Sequence, residues 1–384
     1  MSHATATAAT ADLAQRLWDA VVDGDEDGAA ETVHAALADG VAEETLLLEV
    51  IAPVQAKVGT EWAAARITVA QEHAATAINE RVIASLAHRR RRGTPPRGRV
   101  TVSCVDGEWH AFPARLVAEV LSLRGWRVDY LGAQTPTPHL VAHLHRTNPD
   151  AVLLSGSIPT RLPSAHAAIT ACQAVGFPVL AGGRAFGPDG RYARKLRADR
   201  WAPTAPAAAA VLDEGLTRHG APPARQAVDV LPHLADHEYT LVVRSRPRLV
   251  RQTLADLEDR FPAMRGYSDV QREHTAEDIA HIVDFMAAAL YVDDPELFTT
   301  FLTWTADILQ ARHVPAHSLV TGLDILAGQL RDFPRTADLI RRGTVSLREH
   351  SPRPPPASAP GPDPGPTPAA PSGPAPDPAP GART

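Results

Sequence analysis

Strand and helix signals alternate from about residue 98 to residue 217, and this alternation limits the fold more than any other feature of the chain. Strands are predicted at Val100–Val105, Arg127–Tyr130, Ala151–Leu154, Val179–Ala181 and Arg200–Trp201. Since helical patterns separate these apolar runs, the segment predicts a doubly wound, Rossmann-like domain of the flavodoxin type with a parallel sheet. Such folds bind ligands outside the carboxyl ends of their strands.

The loop after the first predicted strand contains a histidine preceded by acidic residues. It reads Asp106-Gly107-Glu108-Trp109-His110. An acidic side chain two positions before His110 can bind one imidazole nitrogen and leave the other free for a metal. The motif therefore predicts His110 as a metal ligand at the carboxyl edge of the sheet. The alternative for a lone loop histidine is a solvated side chain or a helix cap.

Helical patterns dominate on both sides of this domain. Four segments within residues 10–90 predict a small four-helix bundle, and residues 238–347 predict a further all-α domain. The Arg89–Arg92 run and the prolines after it predict a solvated linker, although four arginines can also contact phosphate. Residues 351–384 contain 14 of the 35 prolines and predict a disordered tail.

Composition narrows the classes of function. The formal net charge is −6, so the chain has no overall polycationic signature for nucleic acid. Its start lacks the basic and apolar regions of a signal peptide, and no apolar run approaches the roughly 18 residues of a membrane span. We therefore expect a cytoplasmic protein without a membrane segment.

A second motif strengthens the interpretation of His110. Trp62 is followed after nine residues by Glu72-His73, and the segments YLGAQTP (130–136), LLSGS (153–157) and VLAGG (179–183) follow in order. Trp-x9-Glu-His followed by Glu-x-His resembles the adenosylcobalamin-binding module of light-sensing proteins of the CarH and LitR type. The resemblance covers roughly residues 10 to 217.

The resemblance implies a site for each part of the cofactor. His110 would be the lower axial ligand of cobalt, with Glu108 beside it. The residues lining the cobalamin slot would be Trp109, Thr135, Ser155, Ser157, Gly182 and Gly183. Trp62 would cap the adenosyl group, and Glu72 and His73 would hydrogen-bond its ribose. Considered without the downstream motif, Trp62 is a bundle core residue and Glu72-His73 a solvated helix face.

The sequence departs from the family pattern in two places. The family continues from the histidine as x-x-Gly, whereas Pro113 stands here at that glycine position. A proline is acceptable at the first position of a helix, but it changes how closely the backbone can approach the corrin or its nucleotide tail. In the gene-repressing members a histidine follows the capping tryptophan and can bind cobalt after illumination, whereas that residue here is Ala63. Those members also carry an N-terminal winged helix-turn-helix. About a dozen residues precede the first predicted helix here, so we expect no direct DNA binding.

The C-terminal domain has a looser resemblance. A cobalamin module followed by an arginine- and histidine-bearing helical domain resembles the photocobilins, in which a globin-like domain binds biliverdin. The resemblance implies bilin contacts at Arg265, Tyr267, His274 and His281. The same residues can equally be structural or solvated.

The sequence thus indicates a photoreceptor rather than an enzyme, with adenosylcobalamin as cofactor and biliverdin as an optional second chromophore. Photolysis of the cobalt–carbon bond would drive a conformational signal to a homo-oligomer interface or a protein partner. The alternative functions are a corrinoid-carrying subunit of a methyltransferase system and a partner-binding module that has lost its cofactor.

Overall fold

The computed structural model describes residues 3–89, 97–218, 220, 227–312, 314 and 317–350. The chain divides into two compact units, Met1–Asp236 and His237–Thr384, here called the N-terminal and C-terminal units. Residues 90–96 of the predicted charged linker and all of the predicted proline-rich tail lie outside the described residues. Among the helices that are described, none is long and apolar enough to span a membrane.

The first part of the N-terminal unit is a helical cap formed by four helical segments where four were predicted. They are α1 (His3–Asp23), α2 (Glu26–Ala38), α3 (Glu43–Thr45) continued by a π-helical stretch (Leu46–Ile51) and α4 (Ala52–Ala63), and α5 (Val69–Arg89). Their apolar stripes meet in one core, where Leu17, Ile51 and Ile83 have no exposed surface. Burial of these stripes holds the cap together because helices of this length are marginal alone.

The second part of the N-terminal unit is a five-stranded sheet. Its strands are β1 (Arg99–Cys104), β2 (Arg127–Gly132), β3 (Ala151–Ser155), β4 (Val179–Gly182) and β5 (Arg200–Ala202). All pairings are parallel and the strand order is β2-β1-β3-β4-β5, which confirms the predicted doubly wound, flavodoxin-type sheet. The near-continuous apolar run of each central strand fits burial on both faces of the sheet.

Helices cover the sheet and connect its strands. They are α6 (Ala111–Leu123), α7 (Thr137–Thr147), α8 (Leu162–Ala174), α9 (Arg191–Lys195) and α10 (Ala205–Glu214), with the short α11 (Ala227–Val230) after them. Phe112 and Val120 of α6 lie in the hydrophobic core of the cap, and Arg124 forms a 2.6 Å ion pair with Glu44. Helix α6 therefore joins the cap to the sheet, and it begins directly after the His110 loop.

The C-terminal unit consists of helices in the described residues. They are α12 (Glu238–Arg260), α13 (Asp269–Val292), α14 (Pro295–Ala311), α15 (His317–Gln329) and α16 (Pro334–His350). The breaks expected at prolines fall at helix boundaries: Pro262 begins a short turn between α12 and α13, and Pro295 and Pro334 are the first residues of α14 and α16. Pro315 lies outside the described residues. Helix α16 was not predicted from the sequence. Its N-terminus is capped by a residue distant in sequence, because the buried carboxylate of Glu238 accepts the backbone N–H groups of Arg335 and Thr336.

Candidate functional site

The carboxylate of Glu108 organises the loop that follows β1. It is 1% exposed and accepts five hydrogen bonds. Its Oε1 atom accepts the backbone N–H groups of Trp109 and His110 together with the His110 ring Nδ1. Its Oε2 atom accepts the N–H groups of Ser157 and Ile158 at 2.8 and 3.0 Å. One side chain thus joins the loops after β1 and β3.

The imidazole of His110 is held with one nitrogen engaged. Its Nδ1 atom lies 2.5 Å from Glu108 Oε1, so the Nε2 atom is the one that can bind a metal. The side chain is 33% exposed, and the exposed indole of Trp109 stacks on it at a centroid distance of 3.9 Å. His110 stands at the N-cap of α6, but its side chain makes no capping bond. The structure therefore does not support the helix-capping alternative for His110.

Hydrogen bonding sets the charge of this pair. Burial raises the pKa of Glu108, but the hydrogen bonds from the His110 side chain, the His110 N–H and the Ser157 N–H outweigh it and hold the pKa at about 2. Burial also raises the pKa of the neighbouring Cys104 thiol to about 12, so that thiol is protonated at neutral pH. The acceptor beside His110 is thus an anion at neutral pH.

Pro113 is the third residue of α6, which begins at Ala111. The first four N–H groups of a helix have no partner within the helix, so a proline costs no hydrogen bond at this position. The departure from the family glycine therefore leaves the start of α6 intact.

The carboxyl ends of the strands supply the remaining predicted slot residues. Ser155 ends β3, is 9% exposed and pairs in register with Gly182 at the end of β4. Gly183 has a φ of +95°, and a Cβ atom there would lie 2.3 Å from the carbonyl oxygen of Gly156. Thr135 follows β2 and donates to the carbonyl of Leu131 at 3.3 Å. The glycine at position 183 is thus required by the close approach of the Gly156 backbone.

A further side chain ties the loops together. Asp106 accepts the N–H of Thr137 at 2.9 Å, and the N–H of Gln134 donates to the Glu108 carbonyl at 3.1 Å. The sequence analysis quoted Asp106 but gave it no role. Its contact with α7 could not be read from the chain because 31 residues separate the partners.

The cap presents the second group of predicted residues. Trp62 lies in the last turn of α4 and is half-buried, and Ala63 ends that helix. On the first turn of α5 the Glu72 Oε2 atom lies 2.7 Å from His73 Nδ1. The imidazole of His73 is 48% exposed and the carboxylate of Glu72 is 26% exposed. The carboxylate of Glu72 is thus partly buried, whereas the imidazole of His73 is exposed.

In the C-terminal unit, two of the predicted bilin residues share one face of α13. His274 and His281 are seven residues apart, and Asp278 stands between them at helical spacing. Phe285 continues the same face and stacks on Phe301 of α14 at 3.7 Å. The sequence analysis missed Asp278, although its spacing from the two histidines was a signal that could have found it.

The groups on this face have perturbed protonation. Desolvation raises the pKa of Asp278 to about 6, assisted by neighbouring Glu277 and opposed by His274 and Arg312. Desolvation lowers the pKa of His281. Both residues are nevertheless exposed on the surface of α13. Perturbed groups of this kind are frequent in binding sites and also occur in structural networks.

The other predicted bilin residues lie elsewhere on the chain. Arg265 belongs to the turn Pro262–Gly266, and Tyr267 follows it with 41% of its surface exposed. Arg246 of α12, a further cationic candidate, is bound in an ion pair with Asp284 at 2.6 Å. An anionic ligand would have to compete with Asp284 for this guanidinium.

Two family models match the N-terminal unit, and each is described as a B12 binding domain. They cover residues 13–87 and 98–211, which are the cap and the sheet with its helices. The two matches support a cobalamin-binding module in this part of the chain.

A transcriptional repressor is similar to part of the chain. The chain is 32% identical over 123 residues to the HTH-type transcriptional repressor CarA of Myxococcus xanthus. The match covers 31% of this chain and 41% of the repressor, so the chain spans less than half the length of that relative.

Solved structures with lower similarity also include corrinoid proteins. The monomethylamine corrinoid protein of Methanosarcina barkeri is 21% identical, with a TM-score of 0.45 over 53% of this chain and 98% of that one. A cobalamin-binding protein of Desulfitobacterium hafniense DCB-2 is also 21% identical, with a TM-score of 0.30 over 52% and 97%. The assignment to a cobalamin-binding module depends on the family models and the site geometry.

Proposed function

We propose that this protein is a light sensor that binds adenosylcobalamin in its N-terminal unit, with His110 as the lower axial ligand of cobalt. The observation that carries the proposal is the 2.5 Å hydrogen bond between Glu108 and His110 Nδ1, which leaves Nε2 available. When bound, adenosylcobalamin supplies a cobalt–carbon bond that visible light breaks.

The residues of the chain have separate tasks in this proposal. Glu108 fixes the tautomer and orientation of His110. The bare backbone at Gly182 and Gly183 admits the nucleotide tail between the strand ends. Trp62 covers the adenosyl group, and the polar pair Glu72 and His73 binds its ribose hydroxyls.

The signal would pass through α6. Phe112, two residues after His110, packs in the core of the cap, so the ligand loop and the cap share one hydrophobic cluster. Loss of the adenosyl group removes the packing partner of Trp62 and changes the balance between two positions of the cap. Because Ala63 replaces the family histidine, the illuminated state would take an upper ligand other than residue 63.

Absorption spectroscopy tests the proposal directly. The full chain is loaded in the dark with adenosylcobalamin, and spectra are taken before and after green light. We expect a lasting light-dependent change with release of the adenosyl group. No light-dependent change would contradict the sensor function. Preferential binding of methylcobalamin over adenosylcobalamin would instead support the corrinoid subunit of a methyltransferase system.

For the C-terminal unit we propose a globin-like domain that binds a linear tetrapyrrole, with biliverdin as the candidate. The polar face of α13 would contact the pyrrole nitrogens through His274, Asp278 and His281, and the stacked Phe285 and Phe301 would pack against the pigment. Arg265 would contact its propionates, and Tyr267 would form part of the wall of the site. Neither cysteine of the chain lies in this unit, so no thioether link could come from it.

Titration of the full chain with biliverdin in the dark tests this second proposal. We expect a red-absorbing band in the unaltered protein. The substitution Asp278→Leu should weaken this band, whereas the control Asp256→Leu, on the exposed surface of α12, should leave it unchanged. The absence of a red-shifted band in the unaltered protein would remove the bilin-binding proposal and leave the cobalamin proposal untouched.

A further inference from the structure

A chain of hydrogen bonds runs through the cap from its core to Glu72. The side-chain amide of Asn79 donates to Gln55 Oε1 at 2.9 Å, and Gln55 Nε2 donates to Thr76 Oγ1 at 2.7 Å. The Thr76 hydroxyl donates to Glu72 Oε1 at 3.2 Å. Every donor points the same way, toward the carboxylate, and hydrogen bonds aligned in this manner polarise one another.

The helix period explains how the residues meet. Glu72, Thr76 and Asn79 stand four and three positions apart, so they share one face of α5. Gln55 reaches this face from α4, the helix that also contains Trp62. The two helices that bear the predicted adenosyl-facing residues are thus bridged by polar groups beside their apolar core.

Thr76 bonds differently from other helical threonines of the protein. Thr32, Thr60 and Thr147 each donate to the backbone carbonyl four residues earlier. Thr76 instead donates to the side chain of the residue four positions earlier. Its hydroxyl therefore serves to hold the Glu72 carboxylate.

Asn79, at the inner end of this series of hydrogen bonds, lowers the stability of the folded protein. Asn79 has no exposed surface, and its Oδ1 atom has no hydrogen-bond partner within the part of the protein that the structure describes. An unsatisfied buried polar atom destabilises a folded protein, so an apolar residue would serve the core better. A purely structural role therefore accounts poorly for a polar side chain at this position.

We infer that Gln55, Thr76 and Asn79 are positioning residues that fix Glu72 for the ribose of the adenosyl group, so that they select adenosylcobalamin over cobalamins with other upper ligands. The inference rests on the proposed function. The Oε1 atom of Glu72 is held by the Thr76 hydroxyl. Its Oε2 atom lies 2.7 Å from His73 Nδ1, which is hydrogen-bonded to the carbonyl oxygen of Val69 at 3.0 Å. The carboxylate is thus oriented before the ligand arrives, which reduces the entropy lost on binding.

Binding of two cobalamins to the full chain in the dark tests the inference. The substitution Thr76→Val keeps the shape of the side chain and removes the hydroxyl. Loss of one hydrogen bond changes a dissociation constant roughly fivefold. We therefore expect the dissociation constant of adenosylcobalamin to rise about fivefold and that of methylcobalamin to change by less than about twofold. Thr76→Ser should restore the affinity for adenosylcobalamin.

Thr60→Val is the matched control, because Thr60 is exposed on α4 and donates only to its own helix. If Thr76→Val weakens the binding of both cobalamins equally, or abolishes both, the role of Thr76 is merely structural and the inference is overturned. Unchanged affinities would overturn it as well. Failure of the proposed function is recognised separately, since the unaltered protein would then show no preference for adenosylcobalamin.

Discussion

Replacing Glu108 by glutamine tests the carboxylate that holds the site together. The carboxylate accepts three hydrogen bonds at Oε1 and two at Oε2. A glutamine amide has a single acceptor oxygen, which fits best toward His110. Its NH2 group then faces the N–H donors of Ser157 and Ile158. Since each buried donor left without an acceptor costs about 1–3 kcal/mol, we expect the free energy of unfolding to fall by about 3 kcal/mol.

Urea unfolding followed by tryptophan fluorescence measures this change, because five of the six tryptophans lie in residues 1–236. The matched control is Glu26→Gln, which removes an exposed ion pair with Arg81 and should cost less than about 0.5 kcal/mol. A loss below about 0.5 kcal/mol for Glu108→Gln would refute the reasoning that this carboxylate is an irreplaceable acceptor for two loops.

Three further changes have defined outcomes. Because the pKa of Asp278 is raised to about 6, the folded state holds this proton more tightly than the unfolded state between about pH 4 and 6. Stability of the C-terminal unit should therefore increase as pH falls through that window. Asp278→Asn should remove this pH dependence and raise the free energy of unfolding at pH 7 by about 1 kcal/mol, since solvent screens an exposed carboxylate. Thermal unfolding measures the change. Gly183→Ala should lower the free energy of unfolding by more than about 2 kcal/mol and weaken cobalamin binding, because its Cβ atom would overlap the Gly156 carbonyl. The control Gly59→Ala, on open helix surface, should raise the free energy of unfolding by up to about 1 kcal/mol. Glu238→Gln should destabilise the C-terminal unit by about 2 kcal/mol in urea, since two buried N–H groups of α16 share its carboxylate.

The strands and the ligand loop were predictable from the sequence for a physical reason. Buried parallel strands appear as short apolar runs, and the loop after the first strand must emerge at the carboxyl edge. The orientation of His110 was also predictable, because an acidic residue two positions away can reach one nitrogen of its ring. The structure confirms both the strand positions and the contact between Glu108 and His110.

Contacts between distant segments were not predictable. The second half of the Glu108 site consists of backbone N–H groups 49 and 50 residues away, and backbone donors leave no mark in a sequence. Gln55 and Thr76 appear as polar residues of two separate helices until α4 packs on α5. Helix α16 was overlooked because Pro334 indicated a break, while its capping partner Glu238 is 98 residues from Thr336.

Electron paramagnetic resonance of the reduced, Co(II) form of the cobalamin-loaded protein tests the central claim most directly. The unaltered protein is prepared with ordinary histidine and with 15N-labelled histidine. If His110 Nε2 binds cobalt from below, the nitrogen splitting should change from a triplet to a doublet on labelling, and His110→Ala should abolish the labelled signal. A splitting that does not respond to histidine labelling would show that the lower ligand is not a histidine and would contradict the account.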